Sequence, residues 1–146
     1  MAPPVQTFQH WTLVTSDLTR SKRFYVDVLG ATPIAREFPP GVVFGGTTID
    51  LFSANEEQHP QPGSLGQHHA YSIKLEDFDP WIQHLEKHDV PILIGSHSRH
   101  ISIYLEDPDG YHFELVVRFK SWEEARAEIE RRGIKSYRNP AGAAQI

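Results

Sequence analysis

The chain carries an internal repeat, and that limits its possible folds more than any single motif does. Residues 8–15, FQHWTLVT, alternate as a strand does: Trp11 and Leu13 share one face, His10, Thr12 and Val14 the other. Ser16-Asp17 supplies N-cap chemistry for a helix running to Leu29, with Leu18, Ser21, Tyr25, Val28 and Leu29 as its apolar stripe and Gly30 as terminator. Pro33, Pro39-Pro40 and Gly41 break the next connection, and two short strands, 42–44 and 47–52, turn at Gly45-Gly46. After a polar, Pro- and Gly-rich linker at 54–66 the order recurs. A strand at 67–75 leads to a helix capped by Asp79, with Pro80 at its first position and Trp81, Ile82, Leu85 and His88 on its buried side.

A hairpin closes the second copy. Residues 102–105 and 111–117 are rich in aromatic and β-branched residues, and Asp107-Pro108-Asp109-Gly110 between them is turn chemistry. In its second strand Phe113, Leu115 and Val117 face one way, and His112, Glu114 and Val116 the other. A third helix follows at 121–132. It opens on a Ser121–Glu124 capping box, ends at Gly133, and shows Trp122, Ala125 and Ile129 as a thin apolar face. The closing residues, PAGAAQI, read as frayed. The expectation is one α+β domain over 1–146, with modules at 8–53 and 67–118.

Composition narrows the function. A formal net charge of −5 and the lack of a dominant basic stripe argue against nucleic acid, Arg131-Arg132, Lys135 and Arg138 being a small cluster preceded by acids. No apolar run is long enough to span a bilayer and Met-Ala-Pro-Pro is no signal peptide, so the expected location is cytoplasmic, away from membranes. Without cysteine there is no disulfide, no thiolate ligand and no cysteine nucleophile; a metal would have to use His and carboxylate.

The repeat also repeats chemistry. His10 opens the first strand of copy one and His68 that of copy two; Asp50 lies in the last strand of copy one, in TIDLF, as Glu114 lies in copy two, in HFELV. This pattern suggests one site at the junction of the halves. Two histidines and a carboxylate from separate strands make a facial ligand set with open coordination positions. A substrate with two adjacent oxygens could chelate there while the metal stabilises developing negative charge.

Three stretches, HWTLVTSDLTRSKRFYVDVLG, HHAYSI with DFDPWIQHLEKHDVPI, and SIYLEDPDGYHFELV, resemble the vicinal oxygen chelate superfamily over roughly residues 8–118. That superfamily includes glyoxalase I, extradiol dioxygenases, fosfomycin-resistance thiol transferases and bleomycin-binding proteins. The resemblance implies two paired βαβββ modules whose sheets curl into a mixed-sheet cleft around one divalent metal ion (Fe, Mn, Zn, Ni or Co). It implies a homodimer acting on a small molecule. By position His10 matches the first ligand and Glu114 the carboxylate four residues after the DPDG turn. The adjacent pair His68 and His69 leaves the second ligand open; the family order His, apolar, Ala, aromatic selects His68, and alternation then turns His69, Tyr71 and Ile73 to the helix side. The same resemblance makes Asp50 a fourth ligand or a base, Thr12 and Tyr104 catalytic, and Ser102, His112 and Arg99 substrate-binding.

A glyoxalase-like enzyme is the leading expectation, with the metal polarising a carbonyl and a carboxylate moving a proton. The alternatives are a fosfomycin-resistance-type thiol transferase, an iron(II) ring-cleaving dioxygenase and a metal-free drug-binding protein. The transferase would need clustered cations for a phosphonate, yet Ile94 stands where that group has a Lys, the 94–101 loop is short, and Glu123 replaces an Arg, leaving Arg99 or Arg126 as substitutes. Trp11 and Trp81 read as helix–sheet core, Phe38, Phe44 and Phe52 as core or cleft lining, and His84 with His88 as the edge of a buried helix face.

Overall fold

The computed structural model describes residues 2–134. The chain divides at Gln61/Pro62 into two compact units. Lys135, Arg138 and the PAGAAQI segment lie outside the described residues.

The first unit runs β1 (His10–Thr15), α1 (Leu18–Arg23), a π-turn at Phe24–Val28, β2 (Thr32–Pro33), β3 (Gly41–Phe44) and β4 (Thr47–Ser53). Its sheet has the order β1-β4-β3-β2, with β1 parallel to β4 and the other pairs antiparallel. The second unit repeats this as β5 (His68–Ser72), α2 (Phe78–Lys87), β6 (Ile92–His97), β7 (His100–Glu106) and β8 (His112–Arg118), in the order β5-β8-β7-β6, and adds α3 (Trp122–Arg132). Each unit is therefore a βαβββ module of the expected α+β fold.

Period-two alternation explains each core. In the first unit Leu13, Val42, Ile49 and Leu51 bury one face of the sheet, and Phe24, Tyr25 and Leu29 are buried with them. In the second, Ile101, Ile103, Leu105, Phe113, Leu115 and Val117 form the buried face, with Phe78 and Leu85 supplied by α2. Tyr71 stacks on Phe113 at 6.2 Å and His69 tilts against the same ring, also at 6.2 Å. The turns follow their residues. Gly45 and Gly46 both have positive φ in a two-residue loop between the paired Phe44 and Thr47, which a side chain with Cβ would resist. At the DPDG turn Asp107 Oδ1 accepts from the backbone of Asp109 and Tyr111, each at 2.9 Å.

Several local expectations change. The first helix is α-helical only to Arg23; the wider π-turn that follows, in which the Leu29 amide donates to the Phe24 carbonyl at 3.1 Å, turns both Phe24 and Tyr25 inward. Thr32–Pro33, read as punctuation, pairs with β3 as an edge strand, where proline is tolerated. Asp79 is not a cap: α2 begins at Phe78 after a 3₁₀ turn at Leu75–Asp77, and Asp79 binds Arg132 instead. His88 is exposed rather than buried. Ser121 caps α3 by accepting from the Glu124 amide at 3.2 Å, but Trp122 is exposed and Ala125 is the buried residue of that helix. Arg132 holds the helix down: its guanidinium lies 4.9 Å from the centre of the Phe78 ring and bonds Asp79 and Glu128.

Candidate metal and substrate site

The face of the second sheet opposite its core gathers polar and titratable side chains. Register places Ala70 beside Glu114 and Tyr104 across from it, so His68, Ser102, Tyr104, His112 and Glu114 share one side. Glu114 is only 9% exposed, which a carboxylate tolerates only with partners. It has two. Ser102, fully buried, donates its hydroxyl to Oε1 at 2.5 Å, and Oε2 lies 3.0 Å from His68 Nε2.

The other side of the His68 ring decides what that second contact means. Nδ1 lies 2.8 Å from the Leu65 carbonyl oxygen, which can only accept, so Nδ1 carries a proton and Nε2 is the nitrogen turned to the carboxylate. Without a proton of its own, Nε2 would set a lone pair against a carboxylate oxygen. Such a pair needs a cation between its members, either a second ring proton or a metal ion. The separation fits a metal: two ligands about 2.1 Å from one ion and at right angles stand about 3.0 Å apart. Tyr104 adds a ring edge-on to His68 at 5.9 Å between centroids.

His69 takes no part in this face. It packs on Phe113, and burial, aided by the neighbouring His68, pushes its pKa below the ordinary histidine value. His112 sits beside His68 in register, its buried Nδ1 without a hydrogen bond and 3.3 Å from Glu106. Arg99 lies in the tight His97–His100 turn and donates to the Lys120 carbonyl at 2.7 Å. Ile94 registers with buried Ile103 on the core side of the sheet.

The first unit holds a parallel arrangement. His10, Thr12 and Asp50 share the face opposite that unit's core, Thr12 and Gly41 both registering with Asp50. His10 Nδ1 meets Gln9 Oε1 at 2.9 Å, and its Nε2 lies 3.9 Å from Asp50 Oδ2. Asp50 Oδ1 is held by Arg36. Each unit thus brings one histidine and one carboxylate together, and among the described residues no group of three or more such side chains converges for a metal.

Arg36 and Leu65 were not singled out by the sequence. Leu65 acts through its backbone, to which side-chain patterns are blind. Arg36 sits in a Pro-rich connection whose path no local signal sets.

Among curated proteins the chain is 35% identical over 115 residues to the glutathione transferase FosA of Serratia marcescens, covering 77% of this chain and 82% of that protein. It is 33% identical over 119 residues to the metallothiol transferase FosB of Staphylococcus saprophyticus, covering 76% of each. Among solved structures, a variant of the fosfomycin resistance protein FosX of Listeria monocytogenes, complexed with Mn(II) and 1S,2S-dihydroxypropylphosphonic acid, superposes with a TM-score of 0.67 at 20% identity, over 86% of this chain and 99% of that one. The family model of the Glyoxalase/Bleomycin resistance protein/Dioxygenase superfamily matches residues 7–115, and the chain belongs to that superfamily.

Proposed function

We propose that the protein is a metal-dependent transferase that adds a thiol to an electrophilic carbon of a small substrate held through adjacent oxygens. It is a metalloenzyme of its superfamily and takes one divalent metal ion per site. We assign His68 and Glu114 of the second unit as metal ligands, and His10 of the first unit as a ligand also. When bound, the ion supplies Lewis-acid stabilisation of negative charge developing on a substrate oxygen. The observation that carries the reading is the His68 Nε2–Glu114 Oε2 approach of 3.0 Å, with the other ring nitrogen, Nδ1, engaged by the Leu65 carbonyl.

In the proposed reaction the thiolate sulfur attacks carbon, the carbon–oxygen bond breaks, and the freed oxygen takes up a proton. Tyr104 is assigned to supply a hydrogen bond to that oxygen, Ser102 to fix the orientation of Glu114, and Thr12 to contact substrate. The likeness to a glutathione transferase and a metallothiol transferase supports thiol addition. So does Asp50. The glyoxalase-like alternative needs it as a base or fourth ligand, whereas one of its oxygens is occupied by the Arg36 guanidinium. A homodimer is part of the proposal.

The test starts with metal analysis of untagged protein, then reloading with Mn(II), Zn(II), Ni(II), Co(II) or Fe(II). Glutathione or cysteine is incubated with an epoxide such as fosfomycin, and thiol loss is followed. Metal-dependent thiol consumption that disappears in Glu114→Gln supports the transferase. Isomerisation of a methylglyoxal hemithioacetal without thiol transfer would replace it with the glyoxalase-like reading. Failure to take up any of these metals would overturn both.

A further inference from the structure

We propose that Arg36 binds an anionic group of the substrate and that Asp50 is its positioning partner, not a base or metal ligand. Where this concerns the substrate it rests on the function proposed above. Both residues belong to the first unit, and Asp50 lies on the sheet face that carries His10. Asp50 is buried, at 6% exposure, and its Oδ1 accepts from Arg36 Nη2. The same guanidinium donates from Nε to the Pro39 carbonyl at 2.6 Å. Two anchors on one planar, five-donor group fix its orientation and leave donors unused among the described residues. The Arg36 side chain is 37% exposed, so those donors have access to solvent.

Gly41 shows that room is made for the pair. A Cβ at this position would stand 2.7 Å from the Ile49 carbonyl oxygen, 3.1 Å from Asp50 Oδ1 and 3.3 Å from Arg36 Nη2. Any larger residue would push into backbone and into the ion pair at once. Beside the pair is an apolar wall: Phe52 follows Asp50 on the same face, and Phe38, 74% exposed, meets it edge-on at 5.5 Å. A pre-oriented guanidinium next to exposed aromatic surface suits a small molecule with a phosphonate, phosphate or carboxylate head and an apolar body. On the second unit Arg99 donates to the Lys120 carbonyl and Ile94 faces the core, while Arg126 stands exposed on α3.

The test uses inorganic phosphate and methylphosphonate as probes, titrated into the full chain with and without Mn(II). Binding is read by calorimetry and by the NMR signal of the Arg36 Nε–H. Wild type is expected to saturate with a shift of that signal. Arg36→Gln is expected to lose at least tenfold in affinity while its Mn(II) stoichiometry stays unchanged. Because Arg36→Gln leaves Asp50 buried without its cation, the neutral pair Arg36→Gln/Asp50→Asn is measured beside it and is expected to show the same loss. Asp50→Asn alone separates positioning from bulk charge. Weaker anion binding supports the proposal, and tighter binding, as simple charge removal would give, overturns Asp50 as the positioning partner. Unchanged binding in Arg36→Gln, or loss of Mn(II) in Asp50→Asn, overturns the assignment. Anion binding at Arg36 in a protein that takes up no metal would leave this site standing and remove the enzymatic reading instead.

Discussion

His68 Nε2 stands 3.0 Å from Glu114 Oε2 while the ring's other nitrogen is held by the Leu65 carbonyl at 2.8 Å. The contact joins the first strand of the second unit to its last, and parallel register brings the two together. Glu114 could not be buried there without partners, because an unpaired carboxylate would lose its hydration without compensation.

Glu114→Gln removes the charge and keeps the shape. The side-chain oxygen can still accept from Ser102, so the fold should survive with a circular dichroism spectrum like that of wild type. Metal affinity should fall by more than the roughly 10–100-fold typical of losing a group behind a ligand. Mn(II) titration followed by electron paramagnetic resonance measures this, and wild-type affinity in the variant would remove Glu114 from the ligand set.

Ser102→Ala probes how the carboxylate is aimed. The hydroxyl is fully buried and bonds a charged oxygen at 2.5 Å, so its loss should cost about 1.5–3 kcal/mol of stability. Metal affinity should drop roughly 10–100-fold, since Oε1 is freed to rotate. Ser102→Thr, which retains the hydroxyl, should recover most of the metal affinity. Equal metal binding in wild type and Ser102→Ala would show that Glu114 needs no such orientation.

Acid should loosen α3 before the sheets. Arg131, then Arg132, hold the Glu128 carboxyl down to about 2, and hydrogen bonding to Arg132 lowers Asp79 as well. A carboxylate whose pKa is depressed by folding contributes stability above its ordinary value and loses it as pH falls through the folded value. The window here is from about 4.5 down to about 2. Hydrogen exchange of the α3 amides should quicken across that range in wild type and be fast throughout in Arg132→Leu. Protection that persists unchanged to pH 2 would mean that packing of Ala125, not the ion pairs, holds the helix.

Phe113→Ala tests the core behind the site. The ring is fully buried and carries Tyr71 on one contact and His69 on another. Truncation should cost about 3–5 kcal/mol, read from chemical denaturation. A loss well under 1 kcal/mol would mean that the neighbouring rings collapse into the space.

The sequence by itself determined the repeat, the two-residue Gly45-Gly46 turn, the DPDG turn and the side of the sheet on which His68 and Glu114 lie. These are local properties: strand alternation has period two, and turn residues act within four positions, so the letters carry them without help. What each carboxylate bonds to was decided by tertiary structure. Ser102 reaches Glu114 only because β7 pairs with β8 in one register, and Arg36 reaches Asp50 only because the chain from β2 to β3 folds back over Gly41. Thr32–Pro33 becomes a strand because β3 offers it an edge, and Asp79 leaves its expected capping role because Arg132, from a helix more than fifty residues away, comes within bonding distance. Such partners are set by where the backbone closes in space, and side-chain chemistry read along the chain cannot encode that distance.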